Sequence, residues 1–337
     1  MVDGPYEQLI IKLWDTLVDK GVCGLLRPWQ MKREGLAIAD VARQKILAIA
    51  QAEQDAEKIR DGLLVAKIEK EGVTLKVNPE LDSPKIDMPS MYSVVENDLV
   101  IDALSKEINF AKCILKAEGI LKTDSGVTPD TQIDRDWIHR WRENVYQVSS
   151  DEMQLIWAKL LAGELKSPGK YSYRTMDFLK NIMVDEAKAI ECVLPFIFQQ
   201  GFIYRGYLYN DGGLKRRIHK WLSFDILLKM EELGIVQGVS DDRLEISLQS
   251  NTDDGLLCIC NNKALRVVGD YNACYTFPHI GVTRLGIQLA EIANCEANEE
   301  YMIEVAGEFK KGGASVFLGN WREKSDCVID FYNSKII

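Results

Sequence analysis

Three histidines, eight cysteines, a few acid pairs and one short basic run are the side chains in this sequence that could do chemistry. A structural zinc site draws about four ligands together, often at short spacing. His139, His219 and His279 lie in separate segments, and none has a second His or a Cys at ligand spacing. Cys258 and Cys260 would share a face of a strand, but no further pair stands near them. The remaining thiols, at 23, 113, 192, 274, 295 and 327, are scattered without a CxxC pair. That pattern predicts reduced thiols packed as small apolar groups. The chain carries no GxSxG nucleophile elbow and neither of the Gly-rich phosphate loops GxxxxGK[ST] and GxGxxG. Gly212-Gly213 and Gly312-Gly313 read as turns. Asp241-Asp242 and Asp253-Asp254 read as solvated turns between strands. Trp137, Trp141 and Trp157 stand at helical spacing among Leu and Met and are expected in the core. No catalytic residue, metal or cofactor is expected.

The remaining candidates are for binding. Lys215, Arg216, Arg217, His219 and Lys220 flank Trp221, and cations beside an aromatic can grip phosphate. Against that, the formal charge of the chain is -10, and non-specific nucleic-acid affinity needs surplus Lys and Arg. A solvated segment balancing an acidic protein is the competing reading. Near the N-terminus, Ile10, Leu13, Trp14 and Leu17 share one face of an expected helix over 6–26. Such a face could lie on a membrane surface or dock on protein. The acids mixed among its lysines favour docking.

These candidates need elements to position them. Apolar residues make up 47% of 337 positions, enough for a real core and suited to two or three domains. No apolar run reaches the length of a spanning helix, and MVDGPYEQL lacks a signal-peptide pattern, so a cytoplasmic protein is expected. From Pro28 to Asp61 no strong breaker occurs. The seam Ile38, Ala42, Ile46, Ile49, Ala52, Ala56, Ile59 and Leu63 ends in heptad steps. It is thin and Ala-rich, so it needs a partner: an identical helix in an oligomer, or the segment after residue 90. Gly72, Pro79, Pro84 and Pro89 predict a linker over 72–92 with one extended piece, Val73 to Val77. Helical spacing returns from Val94 to Leu121.

The segment from Asp136 to Ile182 is where caps, periodicity and breakers agree. Ser149 with Glu152 reads as a capping box, Ser167-Pro168-Gly169 as a stop, and Ser172 as the next cap. Further helices are expected after Asp185, Ser223 and Thr283, with a break at Pro195. Short strands separated by Asp, Asn and Gly turns fill much of the C-terminal third. The expected fold is mainly α, with a long N-terminal helix, a central antiparallel helical bundle and a C-terminal α+β module that is winged-helix-like. The expected domains are 1–71, 72–126, 127–205 and 206–337.

The stretch DWI followed by VSSDEMQLIWAKLLAGELKSPGKYSYRTMDFLKNI resembles a bacterial family, domain-of-unknown-function family 2806. It is more distantly similar to the abortive-infection alpha family of phage-defence proteins. The resemblance extends to Pro28-Trp29 and to Lys106–Leu121, where this chain has Glu107-Ile108 before Asn109 and relatives carry an Arg-Gln pair. It implies a bacterial protein of this layout and carries over no catalytic residue. The expected function is a non-enzymatic helical interaction and oligomerisation protein of the bacterial cytosol in anti-phage defence; the alternatives are a nucleic-acid-binding regulator acting through the C-terminal winged-helix-like region and, second, a membrane-associated effector acting through the N-terminal amphipathic helix.

Overall fold

The computed structural model describes residues 5–20, 51–61, 63–69, 72–77, 88–122, 129, 131–210, 213–250, 255–270, 272–325 and 328–337. The chain separates into two compact units, Met1–Lys170 and Tyr171–Ile337. The division falls inside the stretch expected as one domain over 127–205.

Among the described residues, the first unit is helical with one hairpin. Helix α1 spans Pro5–Asp19, and residues 51–60 form a helical segment. Strands β1 (Leu64–Glu69) and β2 (Gly72–Val77) pair antiparallel in an unbroken register. The expected linker therefore holds β2, and β1 takes the residues just after the heptad seam. Helix α2, Met88–Lys122, is the longest described. It starts six residues before Val94, with Pro89 in its first turn, where the missing N–H costs nothing. Helices α3 (Arg135–Val145) and α4 (Asp151–Lys166) are the last elements described in this unit.

Burial explains the arrangement. Phe110, Ile114, Ala117 and Leu121 of α2, Trp137, Ile138 and Trp141 of α3 and Trp157, Leu161 and Leu165 of α4 are all buried, and the three helices pack on one another. Trp141 donates its indole N–H to the Trp157 carbonyl at 3.0 Å, and Phe110 meets the Trp141 ring edge-on at 6.0 Å. Helix α4 is capped by Ser150, whose Oγ accepts from Met153 N at 3.2 Å. The cap is thus one residue later than the Ser149 capping box expected.

The second unit is α+β. Helices α5 (Tyr173–Asn181) and α6 (Val184–Val193) are followed by a single 3-10 turn, Leu194–Phe196, where Pro195 ends the helix. Ser172 caps α5 as expected, while α6 is opened by Glu186, which accepts from Met183 N at 2.9 Å, rather than by Asp185. Strand β3 (Phe202–Tyr204) precedes the hairpin β4 (Tyr207–Asn210) and β5 (Gly213–Arg216). Then come α7 (Phe224–Glu232), β6 (Val236–Gln237), β7 (Glu245–Gln249), β8 (Leu256–Cys260), β9 (Lys263–Val268) and β10 (Cys274–Val282). Helices α8 (Arg284–Ala293) and α9 (Glu299–Lys311) lead into β11 (Ser315–Ser325) and β12 (Val328–Ile336).

Two antiparallel sheets organise this unit. One places β10 between β3 and β6, with β7 also paired to β10; the other runs β12-β11-β9-β8. Ser223 and Thr283 cap α7 and α8. Gly286 lets α8 approach Ile235: a Cβ there would lie 2.5 Å from the Ile235 carbonyl oxygen. An aromatic core of Phe196, Phe198, Phe202, Phe277, Tyr301 and Phe309 joins α9 to the first sheet.

Candidate interaction surface

Each binding candidate can be followed to its place. The face Ile10, Leu13, Trp14 and Leu17 is buried, packed on α2 and α4 of the same unit. The apolar side expected to meet a membrane or a partner is therefore covered by the chain itself. On the outer side of α1, a groove of about 320 Å³ passes Gln8, Ile11, Asp15, Asp19 and Gln132. Lys12 on its wall donates to the carbonyls of Pro129 and Thr131. No described helix is long and apolar enough to cross a membrane.

Of the proposed oligomer seam, Ile38, Ala42, Ile46 and Ile49 lie outside the described residues. Within the rest, Ala56 and Ile59 are buried, Ala52 is half-buried and Leu63 is exposed. Ile59 packs with Val100 of α2, and Leu64, Ile101 and Leu104 close around them. Lys112 of α2 lies 2.5 Å from Glu53. The two contacts run in opposite senses along the two helices, so 51–60 and α2 form an antiparallel pair. Of the two partners the seam allowed, this part takes the one in its own chain. An Ala-rich seam permits close helix approach whoever the partner is, so periodicity had no means of choosing.

The basic run divides between β5 and the turn after it. Lys215 and Arg216 belong to β5, opposite Leu208 and Tyr207 of β4; the side chains of Lys215, Arg216 and Arg217 lie outside the described part of the structure. His219 is exposed, with Nδ1 3.1 Å from the Leu222 carbonyl. Lys220 lies 2.5 Å from Glu300 and over the Trp221 ring, and its ammonium holds the Glu300 carboxyl below the usual carboxylate range. The described cation of this run is thus already matched by an acid.

Among the described residues no three His, Cys, Asp or Glu side chains gather closely enough to hold a metal ion. Burial pushes the Cys258 thiol up to about 12 and raises Cys260 still further, away from the thiolate a nucleophile needs. Asp151, Asp185 and Glu299 are each pulled down, chiefly by hydrogen bonds from Lys116, Lys229 and Lys263. A carboxylate that serves as a general acid is instead pushed up. Glu107 of α2 accepts from the Tyr146 hydroxyl at 2.8 Å and pairs with Arg142 at 3.3 Å. Burial, with that bond to Glu107 as the next cause, lifts Tyr146 to about 12. The group ties α2 to α3 and the turn beyond it.

Among the described residues, the two edges of the second sheet differ. At the β8 end of the second sheet, Gln199 N donates to the Ile259 carbonyl at 2.9 Å. Gln200 Nε2 donates to the Leu257 carbonyl at 2.8 Å, and its Oε1 accepts from Ile259 N at 3.2 Å. That edge is sealed. At the other end, no described strand pairs with the outer side of β12. Ile329, Tyr332 and Ile336 on it are 40%, 38% and 69% exposed. An unpaired row of N–H and C=O groups beside exposed apolar side chains is a template for another strand. In the sequence only Cys327 to Phe331 reads as a strand here, and nothing assigns it a role. The alternation of β12 is interrupted, so half of it carries no strand signal.

Residues 116–306 match the model of a family described as a protein of unknown function, DUF2806. No curated protein and no solved structure matches the chain.

Proposed function

The chain belongs to the DUF2806 family, and from that premise we propose that it is a non-enzymatic interaction protein that self-associates through its C-terminal sheet. The single observation behind this reading is the contrast between the two ends of that sheet. Three hydrogen bonds close the β8 edge, while no described strand pairs with the outer side of β12, which carries exposed isoleucines. Monomeric proteins blunt such edges. Sedimentation velocity of the full chain across a concentration series tests the reading. A species of two or more chains that grows with concentration is expected; a single 38.2 kDa species throughout contradicts it.

The order α7-β6-β7-β10-α8 supports describing this part as winged-helix-like. Helix α7 then stands where such modules carry a recognition helix. It bears Asp225, Glu231 and Glu232, and its Lys229 pairs with Asp185 at 3.2 Å. Acids repel phosphate, so this chemistry favours protein over nucleic acid as the partner. The distant resemblance to abortive-infection alpha proteins read from the sequence of Asp136–Ile182 is what supports proposing a role in phage defence within the bacterial cytosol. Plating phage on cells with and without the gene tests that role: fewer plaques with the gene are expected, and equal plating contradicts it.

A further inference from the structure

Using β11 as a ruler, the register places Ile329 opposite Glu323, Asp330 opposite Arg322 and Tyr332 opposite Asn320. Beyond a register shift, Lys335 stands opposite Leu318 and Ile336 opposite Phe317. Across that shift β12 spends Asn333 and Ser334 against Gly319, and Asn333 takes a left-handed φ of 50°. This is a bulge. Residues facing each other across an antiparallel pair share a face, and faces alternate along each strand. Asp330, Tyr332 and Lys335 therefore lie on one face, and Ile329, Phe331 and Ile336 on the other. Without the bulge, Asp330 and Lys335 would fall on opposite faces.

We propose that β12 pairs antiparallel with β12 of a second copy about a two-fold axis normal to the sheet, with Tyr332 on the axis. This rests on the self-association reading above and specifies its geometry. Such an axis preserves the faces of the sheet, so only residues on one face can meet. Counted along β11, Asp330 and Lys335 are each two steps from Tyr332, and Ile329 and Ile336 each three. One register therefore matches three kinds of pair at once: Tyr332 against the partner's Tyr332, Asp330 against the partner's Lys335, and Ile329 against the partner's Ile336, with Phe331 left to face the partner's Asn333–Ser334 bulge. Within its own chain Asp330 receives Arg322 Nε and Nη2 on the same oxygen, Oδ2, at 2.8 and 2.7 Å. Oδ1 remains for a second cation. Lys335 is 61% exposed and makes a long 3.5 Å pair with Glu299. A two-fold interface demands this self-complementarity. A bulge and a lysine also serve to protect an edge from pairing; that use predicts a monomer in the experiment below.

The test uses the full chain. Asp330→Lys sets lysines against lysines across the axis, and Lys335→Asp sets acids against acids. Each is expected to weaken self-association by about tenfold or more. An equimolar mixture of the two variants restores it, because every like pair becomes an opposite pair. Tyr332→Cys tests the axis independently of charge. Facing Cα atoms in an antiparallel sheet are about 4.5 to 5.5 Å apart, within disulfide reach. This variant is expected to form a covalent dimer on mild oxidation under conditions where the wild-type chain does not. If the wild-type chain self-associates but the charge variants match it and Tyr332→Cys does not cross-link, this register is overturned while self-association stands. If the wild-type chain is a monomer at every concentration, both are overturned.

Discussion

Arg205 is fully buried, and its guanidinium donates to the backbone carbonyls of Gly238, Val239 and Asp241 while meeting the half-exposed Asp242 at 3.2 Å. A buried cation is tolerated when acceptors surround it, and removing it orphans them all. Arg205→Ala is expected to cost about 3 to 5 kcal/mol, with amide exchange rising first in 238–242. Uniform exchange behaviour in that turn would contradict this role. His279 on β10 is buried, and burial lowers its pKa below the ordinary histidine value, with the Arg205 charge adding to the effect. Below about pH 6.5 the unfolded chain binds a proton that the folded chain refuses. Stability therefore falls as pH drops from that value toward the folded pKa. His279→Gln is expected to flatten the dependence of the urea midpoint on pH between about 7.5 and 5.5. Neither residue was legible as special in the sequence: a lone Arg beside a strand and a lone His within one look alike whether solvated or buried.

At the scale of elements, capping was the readable signal. Ser172, Ser223 and Thr283 each accept a hydrogen bond from the backbone N–H three residues on. Ser149 and Ser150 stand side by side, and Glu152 made the earlier one fit the capping-box spacing; the hydroxyl that reaches an N–H belongs to Ser150. Ser150→Ala is expected to destabilise the protein by about 1 kcal/mol, and Ser149→Ala by only a few tenths. Equal effects in chemical denaturation would contradict the assignment. The strands that escaped notice have physical reasons. Strand β1 begins directly after the heptad seam, so Leu63, Leu64 and Val65 continue an apolar rhythm. Strand β5 holds a single apolar side chain in Gly-Leu-Lys-Arg and gains its partner only from β4. Strand β12 changes phase at Asn333, which breaks the alternation that marks a strand.

Over the whole molecule, the sequence established which faces are apolar but not what covers them. The α1 face and the described end of the heptad seam both turn inward onto α2. Periodicity is the same for a helix that docks at home and one that joins a neighbour. The two-unit division between Lys170 and Tyr171 was similarly hidden, because the Ser167-Pro168-Gly169 stop reads as an ordinary helix–helix turn. Self-association, expected from the N-terminal helices, now rests on the far end of the chain. The family match covers 116–306, so β12 lies beyond the matched segment, and pairing through it need not be common to the family. The most direct measurement is the solution mass of the full chain by light scattering, beside a variant carrying Ile329→Lys and Ile336→Lys, which adds edge-protecting charges at exposed positions. A mass approaching twice 38.2 kDa is expected for the wild-type chain at high concentration, and 38.2 kDa for the variant. Equal masses for the two would contradict self-association through β12.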